Sequence, residues 1–300
     1  MVPFHQLPLP ARVVVGECWA RDGLQSEQTQ VSTEHKVEMI TRMVEAGFTE
    51  IEATSFAHPK YLPQFADAEE VLRRIPRQPG VRYRAICTTL KAVERAVASK
   101  QEGFGVDEIA RVISASEAHN RANVQMGHDE NKRLLEQMTR LSQGTGHSVF
   151  GWALTSFGCP LSGDVAPAQA IALGRFWNDL GAELIGFGDT VGVANPVQVS
   201  RFYEEALAAG MPKDRIVVHF HDTRGWGWPT PWPRFRSASA TSTPRSAPSA
   251  ASPRPAPPRT TGGTPATPAP RTWCRCWRRW ASPPASTCPS CSGSGPAPRS

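Results

Sequence analysis

The sequence predicts an α/β fold on a parallel sheet: a (β/α)8 TIM barrel cut short after strand seven and followed by a disordered tail. Three observations predict it. Apolar strand-like runs alternate with helix-period segments from residue 12 to 222. Seven strands joined by helical crossovers pair in parallel, because each crossover returns the chain to the same end of the sheet. Polar and charged residues gather just after the strands, where such barrels keep their chemistry. After Gly225 the periodicity stops. A doubly wound sheet also meets the first observation, but a barrel at about 250 residues fits better.

The elements follow in order. Val13-Val14-Val15 starts a strand that runs to about Cys18. Ser32 or Thr33 caps a helix whose apolar face uses Val37, Ile40, Met43 and Val44, and Gly47 closes it. Residues 48–56 read as a second strand, 66–74 as a helix and 81–89 as a third strand. A helix over 90–99, a strand over 109–114 and a long polar helix over 131–142 come next. Residues 149–155 are strand five, and 167–180 a helix. Residues 184–188 are strand six, and Pro196 opens a helix to about Ala209. Strand seven is 216–221.

The net charge of +6 suggests nucleic acid as a partner. The distribution argues against it. Residues 226–300 hold ten Arg and no Asp, Glu or Lys, so residues 1–225 carry 23 basic against 27 acidic residues. No run of about 18 apolar residues is present to span a membrane. The N-terminus lacks the charged and apolar regions of a signal peptide. A soluble, cytoplasmic protein with reduced Cys18, Cys87 and Cys159 is the expectation.

Strand seven carries the most informative residues. In Ile216-Val217-Val218-His219-Phe220-His221 the two histidines fall at alternate positions and face one side together. By themselves two such imidazoles are as readily a polar pocket as half a metal site. Arg21-Asp22 after strand one, Glu52 and Ser55 on strand two, Trp152 on strand five and Asp189 after strand six fall at the same barrel end. Asp22, His219 and His221 would supply one oxygen and two nitrogens, a set that suits Mg²⁺, Mn²⁺, Fe²⁺ or Zn²⁺ with positions open for substrate.

The stretch Arg21-Asp22-Gly23-Leu24-Gln25-Ser26-Glu27, with Glu17 upstream, resembles the opening motif of hydroxymethylglutaryl-CoA lyases. Ile51-Glu52-Ala53-Thr54-Ser55-Phe56, Ser114-Ala115-Ser116-Glu117, Gly158-Cys159-Pro160, Gly188-Asp189-Thr190-Val191-Gly192 and His219-Phe220-His221-Asp222-Thr223 recur in that family in the same order. The likeness covers roughly residues 10–225. It implies a metal-dependent barrel that cleaves 3-hydroxy-3-methylglutaryl-CoA to acetyl-CoA and acetoacetate. It further implies an acyl-CoA ligand and a homodimer, while charge distribution and hydropathy lead to no nucleic-acid or membrane partner being expected. Asp22, His219 and His221 would bind Mg²⁺ or Mn²⁺, and Arg21 would steady the thioester oxygen. Glu52 and Asp189 would stand near the substrate as catalytic carboxylates, and His219 would be the proton acceptor, in competition with its role as ligand. Gln25, Ser55, Trp152 and Thr190 would line the substrate site.

The chain departs from that family in places. Trp19-Ala20 stands where Gly-Pro is usual, Trp152 where a Tyr is common, and Thr88 or Thr89 where an Asn is common. The glycine-rich loop with its catalytic Cys and the Asn that completes the metal shell are not found after Gly225. A condensing relative of the isopropylmalate-synthase type is the alternative on the same barrel, although those usually show His-x-His-Asn-Asp.

Residues 226–300 contain no Leu, Ile, Val or Met and one Phe, Phe235, so they cannot build a core. The tail could be a disordered basic segment that binds nucleic acid. It could be a zinc module on Cys274, Cys276, Cys288 and Cys291. It could be translated out of frame. Every tail residue except Phe235 can be encoded with C or G in the middle position, as the third positions of a GC-rich gene would give. Joining the last base of one codon to the first two of the next forces Val at Trp273-Cys274, Leu at Cys276-Trp277 and Gly at Trp280-Ala281. With synonyms chosen, residues 271–281 yield D-L-V-P-M-L-E-A-M-G and 226–236 yield G-M-A-N-A-L-A-A-L, like the segments that family has there.

Overall fold

A computed structural model describes residues 14–224 and the backbone of residues 237–241. Strands β1 (Val14–Glu17), β2 (Glu50–Ser55), β3 (Arg82–Ile86), β4 (Glu108–Ser114), β5 (Ser148–Leu154), β6 (Leu184–Asp189) and β7 (Ile216–His221) pair in parallel, each with the next. Between them run α1 (Thr33–Glu45), α2 (Ala68–Arg74), α3 (Leu90–Gln101), α4 (Glu117–Val124), α5 (His128–Ser142), α6 (Pro167–Asp179) and α7 (Pro196–Ala208). The caps are those the sequence suggests. Ser32 Oγ accepts from His35 N at 3.3 Å, and Gly47 takes a φ of +91° beyond the end of α1.

Helix α4 is absent from the sequence-based reading. Its eight residues, Glu-Ala-His-Asn-Arg-Ala-Asn-Val, carry no amphipathic stripe. Capping makes it: Ser116 Oγ accepts from His119 N at 3.2 Å, and Gln125 ends it in the left-handed region at φ 60°.

The core forms two layers. Outward-facing strand residues such as Ile51, Ile109, Ile185, Val218 and Phe220 pack with Ile40, Leu72, Val93, Trp177 and Phe202 of the helices. Ile86, Ala110, Val112, Phe150, Trp152 and Val217 fill the barrel interior. On β7 the alternation sends Ile216, Val218 and Phe220 to the helices and leaves Val217, His219 and His221 inside.

An ion cluster closes the other end of the barrel. Arg84 Nε donates to Glu108 Oε2 at 2.5 Å and its Nη2 to Glu50 Oε2 at 2.9 Å, while the guanidinium lies 4.6 Å from the Phe150 ring. Burial opposes the charge on Arg84, but Glu108 and its neighbours raise the guanidinium above its ordinary range. Glu108→Ala is expected to leave the guanidinium with Glu50 as its remaining hydrogen-bonded carboxylate, at a cost of up to about 3–5 kcal/mol. Urea unfolding of the variant measures it, and a loss within experimental error of zero would assign the cluster no part in stability.

The seam after strand seven differs from expectation. The sequence suggests an open edge there, but Ser237–Thr241 forms β8, which pairs in parallel with β7 and β1 and closes the barrel. Val217 pairs with Ser237 and His221 with Thr241 on one side, and Val14 with Ser237 on the other. Ladder hydrogen bonds use only backbone groups, so a Ser-Ala-Ser-Ala-Thr run can make them without any apolar pattern. The disorder expected of the tail, and its cysteine pairs, fall outside the described residues. No helix among the described residues is long and apolar enough to cross a membrane.

Candidate metal centre and active site

Residues 19–23 form a π-helical turn that the sequence does not announce. Cys18 O accepts from Arg21 N at 3.1 Å, Asp22 N at 2.7 Å and Gly23 N at 3.4 Å. Glu17 supports the turn by accepting from Trp19 N at 2.7 Å. Such turns recur at functional sites, and this one delivers two adjacent side chains into the barrel mouth.

Asp22 meets β7 there. Its Oδ2 lies 3.7 Å from His219 Nε2 and 3.6 Å from His221 Nε2, and one ligand atom from each of the three residues lies within 4.8 Å of the others. Oδ2 is buried and has no hydrogen-bond partner. A buried carboxylate oxygen without a donor is costly, and a divalent cation among these three atoms would satisfy it. The donor set therefore fits the ion that the sequence suggests.

The electrostatics agree. Burial would raise Asp22, but Arg21, then His219 and His221, hold it below the usual carboxylate range. Burial, then His221, pushes His219 down to about 3, so its imidazole is neutral with a lone pair to give.

Arg21 is fixed on three sides. Its Nε donates to Glu52 Oε1 at 2.5 Å, and its Nη1 to Asp22 Oδ1 at 2.7 Å and to Gln25 Oε1 at 3.3 Å. Burial works against the charge, yet Glu52 and Asp22 raise the guanidinium above its ordinary range, so it stays cationic. Glu52, buried on β2, anchors Arg21.

Asp189 behaves differently from the expectation of a carboxylate turned to substrate. Its Oδ1 accepts from Val193 N at 3.0 Å and its Oδ2 from Ala194 N at 2.9 Å, so both oxygens hold the loop after β6. Burial raises its carboxyl despite those amides. The flanking Gly188 and Thr190 line the cavity.

That cavity encloses about 470 Å³. Arg21, Asp22, Gln25, Ser55, Trp152, Thr190, His219 and His221 all line it, so most residues singled out from the sequence come together. Its far wall comes from α4 and the turn after it, through His119, Asn123 and Met126. His119 is buried and its Nδ1 lies 2.7 Å from Ser114 Oγ. Sequence reasoning missed this wall. The signal was Ser116 three residues before His119, a helix cap that places the imidazole one turn above β4.

The HMGL-like family model matches residues 14–229. The hydroxymethylglutaryl-CoA lyase of Bacillus subtilis is 38% identical over 219 residues, 73% of this chain and 71% of that protein. The mitochondrial hydroxymethylglutaryl-CoA lyase of Macaca fascicularis is 36% identical over 72% of this chain, which spans 65% of that protein's length. Among solved structures, an HMG-CoA lyase from Acinetobacter baumannii, in complex with coenzyme A and 3-methylmalate, superposes with a TM-score of 0.71. It is 34% identical, over 76% of this chain and 74% of that one. Shared fold, ordered motifs and the site they converge on place this chain in the hydroxymethylglutaryl-CoA lyase family, a family of carbon–carbon lyases.

Proposed function

We propose that this gene encodes a metal-dependent hydroxymethylglutaryl-CoA lyase, and that residues 226–300 are its C-terminal part read out of frame. The observation that carries the first half is the unpartnered Asp22 Oδ2 facing two imidazole nitrogens beside a fixed guanidinium. Cleaving the C2–C3 bond of 3-hydroxy-3-methylglutaryl-CoA requires the C3 hydroxyl to lose its proton. The bonding pair passes to C2 and is held as the enolate of acetyl-CoA, which then takes up a proton; C3 becomes the ketone of acetoacetate. Asp22, His219 and His221 would hold Mg²⁺ or Mn²⁺, which when bound acidifies a coordinated hydroxyl. Arg21 would meet the thioester oxygen as charge develops there, a stabilisation strongest in the transition state. Glu52 and Gln25 keep that guanidinium aimed. Thr190, Ser55 and Trp152 would bound the acyl group. His219 can accept a proton only by giving up its ligand lone pair, so the ligand role comes first.

The frame proposal rests on composition. The tail lacks Leu, Ile, Val and Met, while the shifted reading forces Val at Trp273-Cys274 and Leu at Cys276-Trp277. The domain limits follow: a lyase barrel to about residue 225, then sequence without function. The family likeness carries with it a cytoplasmic homodimer and an acyl-CoA ligand. The relative solved with coenzyme A supports that ligand class.

The test is to sequence the gene across codon 225, restore the frame, and assay acetoacetate and acetyl-CoA release with Mn²⁺ and with chelator. Release only with metal supports the proposal; none in either condition refutes it. A salt-dependent shift of duplex DNA by the 300-residue chain, absent from the frame-restored chain, would favour a nucleic-acid role for the tail instead.

A further inference from the structure

Trp152 stands on the inner face of β5 and forms part of the cavity wall. Its partner across the ladder to β6 is Gly186. A Cβ at Gly186 would lie 2.1 Å from Cε3 of the indole and 2.3 Å from Cζ3. The ring therefore occupies the space where a β6 side chain would stand. The inward positions of β6 are Leu184, Gly186 and Gly188, and Phe187 faces the outer core. Two consecutive inward glycines leave β6 without a side chain at this level. The indole reaches across that gap to β7, where it meets His219 edge to face, with centroids 5.6 Å apart at 83°.

Packing alone aims the ring. Its Nε1 is buried and makes no hydrogen bond. Phe150 supports it within the barrel, with centroids 4.5 Å apart. From outside, Trp177 of α6 donates its Nε1 to Trp152 O at 3.2 Å, over Gly151, where a Cβ would come within 2.1 Å of the Trp177 ring. Glycine notches thus seat both tryptophans, one on each face of the sheet.

We propose that Trp152, seated in the gap at Gly186, is a positioning residue that fixes the plane of the His219 imidazole so that Nε2 faces Asp22 and His221. The inference rests on reading those three residues as the metal centre. Its physical basis is that the second side-chain torsion of histidine is broad and roughly two-fold, so the covalent geometry does not hold the ring plane. A neighbour must do so, and groups that orient metal-ligating histidines typically change affinity by about 10–100-fold when lost. At Gly186 any larger residue would drive the indole off His219.

Three variants test this: Gly186→Ala, Trp152→Phe and the double variant. They are made in the full 300-residue chain and, in parallel, in the frame-restored chain, and whichever unsubstituted form shows a cooperative thermal transition decides. The readouts are Mn²⁺ affinity, from the resonance of the free ion, and the d–d absorption of bound Co²⁺, which reports ligand geometry and is insensitive to global stability. Gly186→Ala is expected to weaken Mn²⁺ binding about tenfold or more and to shift the Co²⁺ bands. Trp152→Phe should do the same in smaller measure. The double variant should bind better than Gly186→Ala alone, because a phenyl ring clears the added methyl. Unchanged affinity and spectrum in Trp152→Phe would overturn the proposal even if Gly186→Ala fails to fold, and so would strictly additive effects in the double variant. If the folded, unsubstituted chain takes up neither ion, the metal centre itself falls and this role falls with it.

Discussion

His221→Ala is expected to abolish metal-dependent release of acetoacetate by the frame-restored enzyme. The loss should exceed the about 10–100-fold that removal of an outer-sphere partner typically costs. In the proposed centre His221 would supply one of three donors, its Nε2 lying 3.6 Å from Asp22 Oδ2. An ion left on Asp22 and His219 alone would be bound more weakly and displaced from where the C3 hydroxyl must meet it. The change should spare the fold. His221 is the last residue of β7, its side chain faces the cavity, and the ladder to Thr241 uses backbone atoms alone. Paired measurements decide the matter: turnover across a Mn²⁺ titration, and the thermal midpoint. Lost turnover with a midpoint near that of the parent assigns His221 to the ion. Near-normal turnover at low Mn²⁺ would remove it from the ligand set.

How much of this site is legible in the sequence depends on what each residue answers to. Ile216–His221 can be read residue for residue, because a fully buried parallel strand must be apolar and any interruption stands out. His219 and His221 are that interruption, and the two-residue period puts them on one side without any coordinates. Asp22 is legible only through its motif. Nothing local shows that residues 19–23 wind into a π-turn, since that turn is held mainly by backbone groups, Cys18 O above all, with Glu17 Oε1 accepting from Trp19 N. Asp189 illustrates the reverse. Its place at a strand end suggests a group turned to substrate, yet two loop amides claim both oxygens. Strand-end position restricts where a carboxylate sits and leaves open which way it turns. Gly186 carries no chemistry of its own and could not be singled out. Its role is visible only once the Trp152 ring is seen lying over it. Strand β8 was not legible for a further reason. Ser-Ala-Ser-Ala-Thr has neither apolar alternation nor β-branched bulk beyond one Thr, and only the demand of β7 and β1 for a partner selects it.

The 300-residue chain should release no measurable acetoacetate with Mg²⁺ or Mn²⁺, whereas the frame-restored chain should be active. Two independent deficits predict this. One is stability. Backbone pairing through β8 can close the ladder, but its Ser-Ala-Ser-Ala-Thr sequence offers no large apolar side chain, and residues 226–300 contain no Leu, Ile, Val or Met. Each such side chain fully buried contributes about 1.5–3 kcal/mol. A strand and its covering helix lacking several of them forfeit an amount comparable to a typical net stability of about 5–15 kcal/mol. The other deficit is chemical. The Cys-bearing loop and metal-ligating Asn that the family resemblance implies have no counterpart after Gly225. The deficits separate experimentally. Solubility and thermal unfolding report the first, and turnover reports the second. A soluble chain with a cooperative transition but no turnover would mean that β8 suffices to close the barrel and that the missing loop carries the chemistry. A chain that folds cooperatively and turns over like its relatives would end the frame proposal, because residues 226–300 would then have to provide both the strand and the catalytic groups.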